Sequence, residues 1–116
     1  PYVLAADIYA NKDMLGRGGW NWYTGSSSWY YKGVLEYILG LKVENGYLKI
    51  KPCIPKDWKE YEIEYKYKSS VYRIKIYNKK SKNYGVEKMF LDSIEIPENR
   101  ILLENNSKIN NVEIFM

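Results

Sequence analysis

Residues 60–77, EYEIEYKYKSSVYRIKIY, carry a hydrophobic period of two. Tyr61, Ile63, Tyr65 and Tyr67 alternate with Glu60, Glu62, Glu64, Lys66 and Lys68, and Tyr72, Ile74 and Ile76 alternate with Arg73 and Lys75. Successive side chains on a strand point to opposite faces, so each run offers one apolar and one solvated face. Ser69-Ser70 is read as the tight link between them, which makes the pair a hairpin. Glu60, Glu62 and Glu64 share a face on which a retaining glycosidase pair would need carboxyls about 5–5.5 Å apart. Flanked by lysines, they read instead as a charged face in water.

The same pattern extends both ways along the chain. Upstream, Tyr47 to Lys51 predicts a strand stopped by Pro52 and Pro55, and Trp58 beyond them is read as a packing residue. Downstream, Asn78 to Gly85 is a polar, lysine-rich loop. Strands are predicted at 86–91, 93–96, 100–104 and 112–115, with turn chemistry at Asp92-Ser93 and Asn105 to Ser107. Short strands at this spacing predict a mainly β fold, an antiparallel β-sandwich.

Before Gly46 the period lengthens. Gly16 to Gly40, GRGGWNWYTGSSSWYYKGVLEYILG, is a glycine- and tryptophan-rich loop that runs into one amphipathic helix. Thr24 and Ser26 are good N-cap types, and Trp29, Tyr30, Val34, Tyr37, Ile38 and Leu41 recur at helical steps. Gly40 is the natural C-cap. Gly33, inside the helix, costs about 1 kcal/mol against alanine, so a close neighbour is expected over it. The wide aromatic stripe is expected to be partly exposed or buried against a second copy, since a lone helix of this length is marginal. Residues 2–9, YVLAADIY, fit a helix turn or a short strand. Asp7 within them is either a buried hydrogen-bonding acid or a site residue.

Composition narrows the function. The 116 residues carry a formal charge of +4, but lysines and glutamates are interleaved and only Lys79, Lys80 and Lys82 cluster. A nucleic-acid footprint needs a stripe of one sign, so no nucleic-acid partner is expected. No run of 18 apolar residues and no leader pattern occurs, so no membrane contact by this segment is expected, although an anchor elsewhere in a parent chain stays open. Cys53 is the only cysteine and there is no histidine. These counts remove an internal disulfide, a Ser-His or Cys-His nucleophile and the usual zinc sites, and they fit a reducing, cytoplasmic compartment. A chain that begins at Pro1 in mid-pattern is read as a piece of a larger protein.

The strongest chemical candidate is the helix start. The first N–H groups of a helix have no internal partner, the dipole favours anions there, and Gly25 permits close approach to the backbone. Thr24, Gly25 and Ser26 therefore fit a phosphate, with Arg17 as the nearest cation; plain helix capping by Thr24 or Ser26 is the competing reading. Trp20, Trp22, Tyr23 and Trp29 have rings suited to sugar stacking, with core packing as the alternative. Neither GxxxxGK[ST] nor GxGxxG is present, which argues against a nucleotide.

Four segments in order, PYVLAADIYA, GRGGWNWYTGSSSWYYKGVLEYILGL, LKIKPCIPKDW and YKSSVYRIKIYN, resemble the C-terminal end of glycoside hydrolase family 94. That family includes cellobiose and chitobiose phosphorylases, β-1,2-oligoglucan phosphorylases and the phosphorylase-like end of cyclic β-1,2-glucan synthases, and the GRGGW form is most similar to the β-1,2-glucan branch. The resemblance implies that residues 1–45 hold the last loop and helix of an (α/α)₆ barrel and that residues 46–116 form a jelly-roll-like sandwich. It also implies an inverting reaction in which inorganic phosphate, as co-substrate, attacks the anomeric carbon while one Asp protonates the glycosidic oxygen. No metal or organic cofactor is required. Thr24 and Gly25 match the family's phosphate-binding TG pair, and Arg17, Trp20, Trp22 and Ser26 are further substrate or anion contacts.

The family's general acid and the remaining phosphate ligands lie upstream, so the chain is expected to be inactive alone. Its expected partners are a β-glucoside oligosaccharide and phosphate, with a homodimer through the exposed helix face. The reading from another class is a non-catalytic carbohydrate-binding sandwich that uses its aromatic residues as platforms.

Overall fold

The computed structural model describes residues 3–20 and 24–116, with the backbone alone for Thr24. Two compact units follow one another, residues 1–34 and 35–116.

The first unit holds a small hairpin and a helix. Strands β1 (Asp7–Ile8) and β2 (Gly18–Gly19) pair antiparallel, with Asp7 opposite Gly19. Of the two readings of residues 2–9, the strand is the one observed. The connecting residues are closed by backbone bonds from the Tyr9 and Gly16 amides to the Arg17 and Tyr9 carbonyls, at 3.0 and 2.9 Å. Helix α1 (Thr24–Gly33) follows. Among the described residues a Cβ placed on Gly33 meets nothing within 4 Å, so the neighbour expected over it is not found among them. Gly33 instead marks the point where the helix widens into a π-helical turn, Val34–Ile38. A residue that weakens the α-helical ladder suits such a change of pitch.

The second unit is a sandwich of two sheets. Strands β3 (Leu41–Glu44), β4 (Tyr47–Ile50) and β9 (Arg100–Leu102) form one sheet in the order β3-β4-β9. The other comprises β5 (Glu60–Tyr67), β6 (Ser70–Tyr77), β7 (Lys88–Leu91), β8 (Ile94–Glu95) and β10 (Ile109–Phe115). Its order is β5-β6-β10-β7-β8. Leu41, Leu48, Ile50 and Ile101 from the first sheet and Tyr72, Ile74, Ile76, Met89, Val112 and Ile114 from the second bury into one core.

Pairings between described strands are antiparallel except one: β10 runs parallel to β6, from Ile109 opposite Val71 to Phe115 opposite Tyr77. The antiparallel expectation holds for the other pairings, and β6 with β10 is the exception. Parallel neighbours cannot be joined by a tight turn, and the residues between β6 and β10 supply the crossover.

Turns fall where residues tolerate left-handed backbone. Asn45 and Gly46 link β3 to β4 with φ of 52° and 79°, and Asp92 and Ser93 link β7 to β8 with φ of 47° and 70°. Positive φ at both central residues matches the twist of the flanking strands. The β5–β6 link is Lys68-Ser69, one residue earlier than the sequence suggests, because Ser70 pairs with Tyr67.

Three bonds fix the end of the π-helical turn to the sandwich: Cys53 N–H to Ile38 O at 2.8 Å, Lys51 N–H to Gly40 O at 2.8 Å and Tyr61 O–H to Leu39 O at 3.1 Å. Burial raises the Tyr61 pKa, so the hydroxyl stays a donor across the physiological range. Gly40 is buried with φ of 76°, and a Cβ there would collide with the Lys51 carbonyl and the Pro52 nitrogen. The lysine-rich loop is held by Asn78, whose side-chain amide donates to Trp58 O and Lys82 O at 3.0 and 2.7 Å and accepts from Lys82 N–H at 2.8 Å. Hydrogen bonds first from Lys80 and then from Lys82 hold the Glu87 carboxyl down to a pKa of about 2.

Two expectations follow. Gly40→Ala combines left-handed strain with a backbone collision and should lower unfolding stability in urea by at least about 2 kcal/mol. Gly46→Ala, which meets nothing within 4 Å, should lose roughly 1 kcal/mol. A midpoint equal for both would refute that account of Gly40. For Glu87, a depressed folded pKa means a stabilising contribution present above the ordinary value of 4.5 and lost as pH falls through about 2. In a Lys80→Ala, Lys82→Ala double variant, the Glu87 carboxyl followed by NMR should titrate back near the ordinary value.

Candidate functional site

Two features of the first unit bring together the residues singled out by sequence. One is the hairpin. Tyr9, Met14, Arg17, Gly18, Gly19 and Trp20 line an open cavity of about 360 Å³. Arg17 and Trp20, named from sequence as contacts, thus share one cavity, and Trp20 is 76% exposed. Its backbone sits at φ of 38°, a region that costs a bulky side chain energy and that concentrates at functional positions. Trp22 and Tyr23 lie outside the described residues.

Sequence reasoning did not connect Tyr9 with this cavity or Asp7 with Gly19 at its wall. Both stand on the same face of the first strand, two residues apart, and both lie over Gly19. A Cβ on Gly19 would fall 2.5 Å from the Asp7 carboxylate oxygen Oδ1 and 2.7 Å from the Tyr9 hydroxyl. An acid and a phenol thus occupy the space over Gly19 with the ends of flexible side chains. Asp7 is exposed, which removes the buried alternative for it. The available signal was the alternation Asp7, Tyr9 facing a glycine pair, but it becomes legible only once the hairpin register is known.

The other feature is the start of α1. The helix begins at Thr24, and its first turn contains no acidic side chain. Gly25 and Ser26 are exposed, and a Cβ on Gly25 meets nothing within 4 Å. The first N–H groups of a helix have no partner within its own ladder and the dipole there favours negative charge, so the terminus expected from sequence starts at Thr24 with no carboxylate in its first turn. Gly25 and Ser26 are not among the residues lining the Arg17–Trp20 cavity. Further along the helix, Trp29 is 75% exposed and Tyr30, Tyr31 and Tyr37 are also exposed. Among the described residues no group of His, Cys, Asp and Glu could hold a metal, and no helix is long and apolar enough to cross a membrane.

Residues 1–40 match the glycosyl hydrolase 94 superfamily catalytic domain, and residues 41–96 match the glycosyl hydrolase family 65 C-terminal domain. Together the two matches fit the C-terminal part of a family 94 enzyme.

Among similar proteins is the cyclic beta-(1,2)-glucan synthase NdvB of Rhizobium meliloti, 43% identical over 66% of this chain and 3% of its own length. The 3-O-beta-D-glucopyranosyl-beta-D-glucuronide phosphorylase of Paenibacillus borealis is 39% identical over 72% of this chain and 11% of its own. An N,N'-diacetylchitobiose phosphorylase of Vibrio proteolyticus is 36% identical over 70% of this chain and 10% of its own. The chain thus spans a small part of the length of each of these relatives.

The Gly19 contacts are open to test. Gly19→Ala should push the flexible ends of Asp7 and Tyr9 aside while the hairpin stays closed, so hydrogen exchange at the Tyr9 and Gly16 amides should change by less than about threefold. The Ile114 amide, in the sandwich core, should keep its rate. Exchange at Tyr9 about tenfold faster would show that the hairpin depends on a bare Gly19.

Proposed function

We propose that this chain is the C-terminal portion of an inverting carbohydrate phosphorylase or glucan synthase that acts on β-linked glucosides with inorganic phosphate. Thr24 and Gly25 contribute half of the phosphate site, and the general acid is supplied by residues outside this chain. The observation that carries the reading is the open, acid-free start of α1 at Thr24–Gly25, in a segment that matches a family 94 catalytic domain. Relatives named as phosphorylases and as a glucan synthase support it.

The chemistry sets what such a terminus must do. A phosphate oxygen forms a bond to the anomeric carbon as the bond to the glycosidic oxygen breaks, and a proton passes from a carboxylic acid to that leaving oxygen. Phosphate takes the place of the water that an inverting hydrolase activates with a second carboxylate. Holding a dianion in position for in-line attack is work for fixed N–H donors and a dipole, which need no reorganisation during the reaction. The dipole contributes roughly 0.3–1 kcal/mol at an exposed terminus, so cationic help is required, and Arg17 is the cation this chain offers. Trp20, Trp22 and Ser26 complete the contacts we assign. Under this reading the chain alone is inactive, works in the cytoplasm as part of a longer polypeptide, and leaves its exposed helix face for another part of that polypeptide or for a second copy.

The test is the longer polypeptide that contains this chain, assayed for phosphate-dependent release of glucose 1-phosphate from β-1,2- and β-1,4-glucosides. Thr24→Ala and Gly25→Ala should each raise the phosphate KM or lower kcat/KM for phosphate by roughly 10- to 100-fold, the weight of a hydrogen bond to a charged group. Because nothing crowds Gly25, its variant should keep the wild-type melting temperature. Release of free glucose without phosphate dependence would overturn the proposal.

A further inference from the structure

The outer face of the five-stranded sheet carries a feature that the helix terminus does not explain. On β5, β6 and β10 the inward residues Ile63, Ile74 and Val112 sit side by side, and two rows of polar side chains flank them on the opposite face. One row is Glu62, Lys75 and Glu113; the other is Glu64, Arg73 and Asn111. Between the rows lies an open trough of about 600 Å³, lined by these six side chains with the strand backbone of Ile63, Ile74 and Val112 as its floor. It runs across the strands.

Three observations identify what fits it. First, the charges are largely settled within the walls: Lys75 Nζ lies 3.1 Å from Glu62 and Arg73 Nε lies 3.7 Å from Glu64. A trough neutralised in this way exerts little pull on phosphate or nucleic acid. Second, on β10 the wall is unfinished. The half-buried Glu113 carboxylate and the Asn111 side-chain amide have no hydrogen-bond or ion-pair partner among the described residues, so acceptors and donors remain for a ligand. Third, the polar groups repeat at the strand spacing of about 4.8 Å, close to the length of one pyranose ring. Beyond the Glu113 row, the rings of Tyr77 and Phe115 stack at 5.1 Å and Phe90 meets Phe115 edge-on at 5.9 Å, giving an aromatic shoulder.

We propose that this trough binds a neutral β-linked glucooligosaccharide, each wall residue bonding the hydroxyls of successive sugars, with Glu113 and Asn111 as the principal contacts. The choice of sugar rests on the functional reading above, whereas the site itself uses none of the residues at the start of α1. A surface of this kind would hold an oligosaccharide by its chain rather than by its reacting end.

The probes are short linear β-1,2-glucooligosaccharides added to the full 116-residue chain, read by amide NMR, with inorganic phosphate titrated separately. Binding should move the amides of Arg73, Lys75, Asn111, Val112 and Glu113 with a dissociation constant in the millimolar range or tighter. Glu113→Gln and Asn111→Ala should each weaken it roughly fivefold or more while leaving the thermal midpoint unchanged, since both side chains face solvent and lack partners. No shift on this face at ten-millimolar saccharide, or shifts confined to Trp20 and Trp29, would overturn the proposal. Equal response to phosphate and saccharide at these amides would overturn it as well. Phosphate shifts at Gly25 and Ser26 report on the other reading independently, so either can fail alone.

Discussion

The parallel ladder between β6 and β10 is the constraint on which the sandwich depends. It joins Val71–Tyr77 to Ile109–Phe115 rung by rung and places Ile74 and Ile76 beside Val112 and Ile114 at the centre of the sheet. These four side chains are at most 1% exposed, so the ladder and the core are one object. Full burial of an aliphatic side chain is worth about 1.5–3 kcal/mol, which makes β6 and β10 the main source of stability for a sheet that ends on one side in the two-residue strand β8. Because partner residues lie more than thirty positions apart, the ladder closes only after the chain between them has crossed over, and loop-closure entropy opposes that step.

Polar groups around the ladder are arranged so that its ends stay ordered. Buried Ser70 accepts from the Asn106 and Ser107 amides at 2.8 and 3.1 Å and donates to Asn106 Oδ1 at 2.9 Å. The Tyr72 hydroxyl accepts from Glu104 N–H at 2.8 Å. Both tie the start of β6 to the segment that leads into β10. No buried side-chain polar atom among the described residues lacks a partner, as a stable interior requires. On the other end of the unit, the bonds at Ile38, Leu39 and Gly40 transmit this order to the last turn of the helix, so the sandwich fixes where that helix ends.

Legibility from sequence follows the range of the interaction concerned. The alternation in β5 and β6 was readable because burial on a strand repeats every second residue within one local run, and the observed burial of these strands follows it. Strand β3, LKVE, escaped notice because Leu41 also completes the helical stripe of Val34, Tyr37 and Ile38 and four residues do not establish a period. The start of α1 at Thr24 was signalled by N-cap chemistry and by the glycine beside it. The convergence of Asp7 and Tyr9 on Gly19 was not, because it depends on which residues of a two-rung hairpin face one another. The polar trough was likewise invisible: Glu62 and Glu64 read correctly as a charged face, but their alignment with Glu113 and Asn111 exists only through β6.

By itself the sequence determined the mainly β character, the helix that precedes it, the positions of most turns and the family that the chain resembles, because each is written in local periods, turn residues and contiguous motifs. Tertiary structure alone decided the parallel pairing of β6 with β10, the passage of the helix into a π-helical turn after Gly33, the side-chain space over Gly19 and the trough across the sheet. Each of these depends on which distant segments become neighbours. That choice is made by shared burial and by closure of hydrogen-bonded ladders over the whole unit, and no single stretch of residues contains it.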